Sequence, residues 1–472
     1  ETEIVLRFRS LTMAYVGFHE RNKTDHLSIL QDLANVEEET LVAFSCCQFE
    51  ISFETLAHQI GRNPWLTQIA FNGFPYFIDE CGHTHGIDTF FDALTDETHI
   101  KCIDIEIGSS SSAHQHGTEA DDAALSSLAR YFGIHRHLQK FEIFLTSSRI
   151  SFDFLSSLLS LQCLTIQGGG PLPYLPKHWS CNLEMLEISE HCLYDRALQG
   201  EQMPELIQLL DNCSAVAGMK ALSLNLEENI LQTDAAPLFR YISLMPGLEK
   251  LKVTFCFGSG KLWLWEMVNN TIMASDSISI LHITSYVTLV ESDGNSTTQR
   301  ARLLLPSCRS KLKELYLSPL HDFDEELDNI ADEGVRFLTD LLLHNHMLEK
   351  VQLHRFPLKS SNDVLMDLIP SMSSIRQLSF PTPVDQEEWC RFAPRDLKKL
   401  VRSIQACPTL TSVDYLVETQ ESTETGELTQ AVTDCLEINK MIPIMKHAAL
   451  PVFAHAMANR RPSTIYFLLQ EK

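Results

Sequence analysis

The chain is poor both in the residues that interrupt regular structure and in basic side chains. Only 19 glycines and 19 prolines occur among 472 residues, which excludes collagen-like and low-complexity proteins. Lys and Arg number 37 against 62 Asp and Glu, which gives a formal net charge of −25. Because such a chain repels phosphate groups, the composition predicts no binding to nucleic acid and no attachment to anionic membranes.

The sequence also lacks the cysteine pairs of a disulfide or metal scaffold and a long apolar run. Its 13 cysteines include no Cys-x-x-Cys pair, so we expect reduced thiols and a cytoplasmic or nuclear protein. The most apolar late stretch, 441–458, contains two prolines, a lysine and two histidines. It falls short of the roughly 18 apolar residues that indicate a membrane helix. Since the chain begins with Glu1 instead of Met, we expect a fragment or a processed product.

One spacing of apolar residues recurs along most of the chain, at positions 0, +3 and +5. Thirteen copies lie between residues 41 and 410, with an average spacing of (410 − 41)/12, or about 31 residues. Individual spacings run from 22 residues (161 to 183) to 38 residues (100 to 138). The residues at position 0 are Leu41, Leu66, Ile100, Leu138, Leu161, Leu183, Met219, Leu248, Ile278, Leu312, Leu348, Ile375 and Leu410.

Several copies are preceded by features that end a helix. Pro64, Pro246 and Pro408 each stand two residues before a position-0 residue, where proline stops a helix and keeps the residue before it extended. Helical apolar spacing begins upstream at Phe53, Leu125, Leu206 and Val335. A unit therefore reads as helix, turn, strand and loop. Burying three apolar residues yields roughly 5–9 kcal/mol, whereas ordering about 30 residues costs tens, so the units must stack as a solenoid.

The repeated Leu-x-x-Leu-x-Leu spacing resembles leucine-rich repeats, in particular the long repeats of the ribonuclease-inhibitor-like branch. The resemblance covers about residues 40–416 and implies an α/β leucine-rich-repeat solenoid, a horseshoe with a parallel concave sheet and convex helices. At +8 the family carries Asn or Cys, and here only Cys256 fits. We therefore expect irregular turns after the strands and an uneven solenoid.

The two ends of the chain differ from the repeats. We expect residues 1–40 to form a strand and helix of a truncated first repeat, 41–417 the solenoid of about 13 units, and 418–472 a polar loop and a helical C-terminal cap. The cap resembles that of uncharacterised leucine-rich-repeat proteins of diatoms, through Ile438-Asn439-Lys440, Leu450-Pro451 and Phe467-Leu468-Leu469, without the tryptophan those proteins carry. Long loops are expected at 108–122, 292–299, 381–396 and 418–427.

Three motifs resemble ligand-binding sites but lack residues that such sites need. The sequence Gly258-Ser-Gly-Lys261 lacks the first glycine and the hydroxyl of a phosphate-binding loop. The acidic run 322–333 has calcium-ligand spacing, but Leu327 stands where the loop needs glycine. Four His-x-His pairs have no further ligands close by in sequence, with Cys81-Gly-His83-Thr-His85 the best cluster. We therefore predict no metal, no cofactor and no catalytic residue.

The alternation of side chains along a strand places positions +2, +4 and +6 away from the core. These positions lean acidic before about residue 190 and basic from 250 to 354. Exposed tyrosine and paired charges suit a protein interface, although an ordinary solvated sheet surface would show the same residues. The candidate partner-binding residues are Gln68, Asn72, Asp104, Glu106, Glu142, Glu187, Lys250, Lys252, Tyr316, Lys350, Gln352 and His354.

The family resemblance implies a non-catalytic scaffold that binds a protein partner on the concave face. Because a fold does not fix a function, two alternatives stay open. One is a regulator of a small GTPase, as some proteins of this repeat branch are. The other is the substrate-recognition subunit of a ubiquitin ligase, whose adaptor-binding module would lie upstream of Glu1.

Overall fold

The computed structural model describes the central part of most repeats and the first helix of the C-terminal segment. The described residues are 14–18, 31, 33–37, 40–45, 48–49, 52–72, 76–78, 84–85, 87–94, 99–107, 128–133, 137–145, 152–167, 175–176, 178–189, 203–212, 216, 218–226, 231–255, 262–285, 311–319, 339, 342–343, 345–354, 361–382, 391–417 and 423–445.

The chain divides into two compact units, 1–241 and 242–472. In the first unit the strands are β1 (Ala14–Phe18), β2 (Thr40–Ser45), β3 (Gln48–Phe49), β4 (Leu66–Asn72), β5 (Tyr76–Ile78), β6 (Thr84–His85), β7 (Cys102–Ile107), β8 (Lys140–Leu145), β9 (Cys163–Gln167), β10 (Met185–Ser189) and β11 (Ala221–Leu226). The helices are α1 (Phe53–Arg62), α2 (Ile87–Ala93) and α3 (Met203–Asn212), with a 3-10 turn at Asp153–Ser157. The boundary between the units falls within α4 (Gln232–Ser243).

The main sheet of the first unit is parallel and follows chain order, β1-β2-β4-β7-β8-β9-β10-β11. Strands β3, β5 and β6 form a separate small sheet. Parallel neighbours need a crossover connection, and each crossover here returns the chain to the next position in the sheet.

The second unit repeats this arrangement. Its strands are β12 (Lys250–Phe255), β13 (Ile280–Ser285), β14 (Glu314–Pro319), β15 (Lys350–His354), β16 (Gln377–Thr382), β17 (Arg391–Phe392), β18 (Ser412–Asp414) and β19 (Leu416–Val417). Its helices are α5 (Leu262–Ala274), α6 (Ser361–Leu368), α7 (Pro394–Ala406) and α8 (Thr423–Met445), with a 3-10 turn at Ile369–Ser371. The sheet order β12-β13-β14-β15-β16-β18 is again parallel, and β17 pairs with β19. The prediction of an α/β fold with a parallel, open sheet is confirmed in this form.

In the copies from Leu66 to Phe380 the position-0, +3 and +5 residues form the core, as the spacing predicts, whereas Val413 and Tyr415 of the last copy are half-buried. Leu248, Leu251 and Val253 of one copy are fully buried, and so are Leu138, Phe141 and Ile143 of another to within 1%. In the first unit a chain of tilted and edge-to-face ring contacts runs from Phe71 through Phe91, Tyr131 and Phe132 to Phe141. Aromatic side chains thus connect consecutive repeats of the first unit through a shared interior.

The turns before the strands share one backbone arrangement. The carbonyl oxygen of the +1 residue accepts hydrogen bonds from two N–H groups of the next repeat. Lys101 accepts from Gln139 and Lys140 at 2.8 and 3.0 Å, and Lys313 accepts from Glu349 and Lys350 at the same distances. The same pairing recurs at other turns of both units. It satisfies the backbone groups of the turn and sets the register of each pair of strands.

The register corrects the first predicted repeat. Leu41 was expected at position 0, with Phe44 at +3. Instead Val42 pairs with Ile69 and Phe44 pairs with Phe71, so Val42 and Phe44 occupy +3 and +5. The partner of the position-0 residue Leu66 is Thr40, with an irregularity in the register before Leu41, so this repeat has no apolar residue at the place where the triplet begins. Strand β1 is one repeat earlier, because Val16 pairs with Val42 and Phe18 with Phe44.

Two predicted loops are shorter than expected. The loop expected at 381–396 ends where α7 begins at Pro394. Proline suits the first turn of a helix, and the Asp396 carboxylate accepts a hydrogen bond from the Ala393 N–H at 3.1 Å. The loop expected at 418–427 ends where α8 begins at Thr423. The loops expected at 108–122 and 292–299 lie outside the described residues.

The first described part of the C-terminal cap is α8, which packs on α7. Asn439 is 5% exposed, and its amide donates to the carbonyl oxygens of Ile404, Cys407 and Leu410 at 3.4, 3.0 and 2.8 Å. One buried side chain therefore satisfies the end of α7 and the turn that follows it. Leu450-Pro451 and Phe467-Leu468-Leu469 lie outside the described residues.

Candidate partner-binding face of the sheet

Along the described strands of the main sheets, the +2 and +4 side chains lie on the side opposite the buried +3 and +5 side chains. We call these side chains the polar face. Most of the charged side chains among them are half-buried, as are Asp104, Glu142 and Lys252. Partial burial of this kind leaves them available to a ligand while neighbouring strands restrict their motion.

In the first unit three of the predicted acidic residues lie in one row across the sheet. Asp104 pairs with Glu142, Glu142 with Thr165, and Thr165 with Glu187. Gln68 lies in the neighbouring row, because its partner is Cys102. The structure thus brings Asp104, Glu142 and Glu187 together as a row and sets Gln68 beside it.

The acidic row is partly neutralised by its own neighbours. The Lys140 ammonium lies 2.9 Å from a Glu142 oxygen, and the Gln167 amide donates to the same carboxylate. Ser223 donates to Glu187 at 3.1 Å. These contacts fix the carboxylates in place and reduce the negative field that the first unit presents to a partner.

Two cysteines lie on either side of Lys140, in the same row as Gln68. They were not among the residues predicted from the sequence. Cys102 and Cys163 are the register partners of Lys140 on either side. Burial raises the pKa of the Cys102 thiol to about 11 and raises that of Cys163 above its ordinary value, although Lys140 acts in the opposite direction. Both thiols are therefore protonated at neutral pH, the form in which a cysteine is a poor nucleophile.

In the second unit the predicted basic residues lie in two adjacent rows. Lys250, Ile280, Glu314 and Lys350 form one row, and Lys252, His282, Tyr316 and Gln352 form the next. The Lys350 ammonium lies 3.8 Å from Glu314. All of the predicted residues Lys250, Lys252, Tyr316, Lys350 and Gln352 therefore belong to one continuous patch.

The central residue of this patch, His282, was missed from the sequence. Its ring stacks on Tyr316 with centroids 5.1 Å apart and an interplanar angle of 29°. Burial lowers the pKa of His282 to about 4, with further contributions from the positive charges of Lys250, Lys252 and Lys350. The signal was present, because His282 stands at +4 after Ile278, the same repeat position as Lys252 and Tyr316.

Three predicted residues lie at the ends of their strands. Asn72 pairs with Ser45, Glu106 with Phe144, and His354 with Thr382. They continue the same strands, at +6, that carry the residues of the polar face.

The other motifs give no site within the described part of the chain. No group of three or more His, Cys, Asp or Glu there could hold a metal ion. His85 lies in β6, and His137 and His346 are exposed. The segments 258–261 and 322–333 and the pair His114/His116 lie outside the described residues.

The chain matches no protein-family model, and no curated protein is significantly similar to it in sequence. Within the ranges that the structure describes, none of the helices has the length and apolar character needed to cross a membrane.

Proposed function

We propose that the repeating units are leucine-rich repeats of the ribonuclease-inhibitor-like branch and that the chain is a non-catalytic scaffold for protein–protein interaction. The repeat identity is supported by the parallel sheet in chain order, by the buried 0, +3 and +5 residues and by the repeated turn hydrogen bonds. A solenoid of this kind offers an extended surface for a partner.

The observation that carries the functional proposal is the polar face. Its charged side chains lie in register across consecutive strands, with acidic residues in the first unit and lysines with a stacked tyrosine in the second. Interfaces favour tyrosine, and charges of ordered geometry give specificity and rapid association.

The proposal is tested by identifying a partner and then reconstituting the complex. The tagged chain is used to capture proteins from lysate of its source, and the most enriched protein is purified and its binding measured by calorimetry. We expect Asp104→Lys with Glu187→Lys, or Lys250→Glu with Lys252→Glu, to weaken binding at least tenfold. A matched control, Lys398→Glu with Arg402→Glu on α7, should leave the affinity within twofold.

An affinity that falls with the α7 control and stays unchanged with both polar-face variants would contradict the proposal. The identity of the purified partner also separates the two alternatives. A small GTPase whose hydrolysis rate changes on binding would indicate a GTPase regulator, and ligase components would indicate a substrate receptor.

A further inference from the structure

Five side chains of the second unit form a compact cationic and aromatic cluster on the polar face. We call Lys250, Lys252, His282, Tyr316 and Lys350 the lysine–tyrosine cluster. They come from the four neighbouring strands β12 to β15. Because strands lie about 4.8 Å apart, the cluster spans roughly three strand spacings, or about 14 Å.

The charges facing the two rings are mainly positive. Lys252 stands beside His282 on β12, Lys250 lies two residues earlier on the same strand, and Lys350 lies on β15. Among the described side chains of these two rows, Glu314 is the one carboxylate on β12 to β15, and it lies 3.8 Å from Lys350. Asp414, further along the second row, accepts from Ser379 at 2.7 Å. Among the described side chains of these two rows, three ammonium groups therefore accompany the rings against one nearby carboxylate.

The electrostatic environment of His282 shows that these charges converge on one place. The field of Lys250, Lys252 and Lys350 disfavours a further proton on the imidazole, in addition to the effect of burial. The ring is consequently neutral at neutral pH and offers one N–H donor. A carboxylate placed over this ring would be stabilised by the lysines, because it brings the opposite charge to the site.

We propose that the lysine–tyrosine cluster binds an acidic peptide segment of the protein partner, an extended run of about four Asp or Glu residues laid across β12 to β15. This inference rests on the proposed scaffold function. An extended chain advances about 3.4 Å per residue, so four residues match the width of the cluster. Nucleic acid fits less well, because the chain carries a net charge of −25 and repels a long phosphate backbone.

The test measures fluorescence anisotropy of a fluorescein-labelled hexaglutamate peptide with the full chain. We expect saturable binding that weakens as salt is added, and no binding of the matched hexaglutamine peptide. Lys250→Glu with Lys252→Glu should lower the affinity at least tenfold, and Tyr316→Ala about threefold. The control Lys311→Glu with Arg402→Glu makes the same change in net charge outside the cluster and should leave the affinity within twofold. Circular dichroism checks that each variant is folded.

Absence of saturable hexaglutamate binding overturns the proposal, and so does an equal loss in the control, which would show a response to net charge alone. Tighter binding to a 12-residue oligothymidylate than to hexaglutamate would also overturn it in favour of a nucleic acid. The proposed scaffold function is tested separately. If the purified partner binds and loses affinity only with the Asp104 and Glu187 substitutions, that function stands while the acidic-peptide inference fails.

Discussion

Buried or half-buried polar side chains connect neighbouring repeats through the turns. The Asn63 amide donates to the carbonyls of Leu33 and Val36 at 2.7 and 3.1 Å and accepts from the Trp65 N–H at 3.0 Å. Ser277 and Ser374 donate to Met245 and Leu348 of the preceding turns. Because an unpaired buried carbonyl is costly, each of these side chains stabilises a turn other than its own.

The Thr67 hydroxyl is the exception to this pattern. It is buried, with 3% of the residue exposed, and has no hydrogen-bond partner among the described residues. We expect Thr67→Val to leave the free energy of unfolding unchanged or to raise it by about 1 kcal/mol, since the desolvated hydroxyl is removed and the shape is kept. Urea denaturation measures this difference.

The matched control is Thr271→Val. Thr271 is equally buried, but its hydroxyl donates to the Met267 carbonyl at 2.8 Å, so its removal should lower the free energy of unfolding by about 1 kcal/mol. Equal losses in both variants would show that Thr67 has a partner after all.

His282 should titrate well below an ordinary histidine. NMR of its ring protons, assigned by their loss in His282→Gln, should give a pKa near 4. Removing one nearby positive charge with Lys252→Gln should raise this pKa, and Lys311→Gln, outside the cluster, should not. A His282 pKa at or above the ordinary 6.5 would contradict this expectation.

The lowered pKa of His282 also makes the free energy of unfolding depend on pH. The folded state keeps His282 neutral at a pH where the unfolded chain already binds a proton, so the unfolded state binds more protons between about pH 6.5 and 4. The contribution of His282 to stability is therefore complete at neutral pH and is lost as the pH falls through this window.

At the scale of elements, sequence spacing predicted most strands and missed the irregular ones. The triplet Met13-Val16-Phe18 fits the 0, +3 and +5 spacing of β1, but it stands alone, ahead of a repeat in which Thr40 pairs with the position-0 residue Leu66. Helices α1 and α3 lie where the apolar spacing from Phe53 and Leu206 predicts them. Residues 128–133 are helical as predicted from the spacing that begins at Leu125, and most of the segment predicted from Val335 lies outside the described residues.

For the polar face, too, the sequence predicted one part of the arrangement and missed another. Alternation along a strand was sufficient to select Asp104, Glu142, Lys252 and Tyr316 for it. The two rows of the second unit are the +2 and +4 positions of the repeat, so the spacing already indicates which residues share a row. The contacts within a row, such as the stacking of His282 on Tyr316, could not be predicted, because they depend on side-chain conformation and burial.

Helix α8 should depend on Asn439 for its attachment to α7. We expect Asn439→Leu to lower the free energy of unfolding by about 2–3 kcal/mol, because it removes a buried donor shared by three carbonyl oxygens. Thermal and urea denaturation measure the loss, and limited proteolysis should cut within 423–445 more rapidly. The control Gln430→Ala removes an exposed contact to Asp434 of the same helix and should cost less than about 0.5 kcal/mol. Equal losses in the two variants would contradict the role of Asn439.

At the scale of the whole molecule, a destabilising substitution in one repeat should lower the stability mainly of that repeat and its neighbours. Phe132 is fully buried and contacts Phe141 edge-to-face at 5.2 Å. We expect Phe132→Ala to cost about 3–5 kcal/mol. Hydrogen exchange should show the largest loss of protection in β7, β8 and β9 and the smallest in β11. The control Leu159→Ala, at a residue 49% exposed, should change protection little.

Uniform loss of protection over all strands of the first unit would contradict this expectation. It would mean that the unit unfolds in a single cooperative step, as small globular domains do.

The shared carbonyl in each turn has a consequence for how the sequence can change. The turn needs the N–H groups of both the +1 and the +2 residue, and no proline occurs at these positions in the copies from Leu66 onward. A block of about seven residues, from the turn through the strand, therefore determines the register. The segment between one strand and the next helix can vary in length. In evolutionary terms, insertions can accumulate in the loops without shifting a single strand, which explains how units of 22 and 38 residues coexist in one sheet. For an engineer, these loops are the places to add a tag or a binding segment.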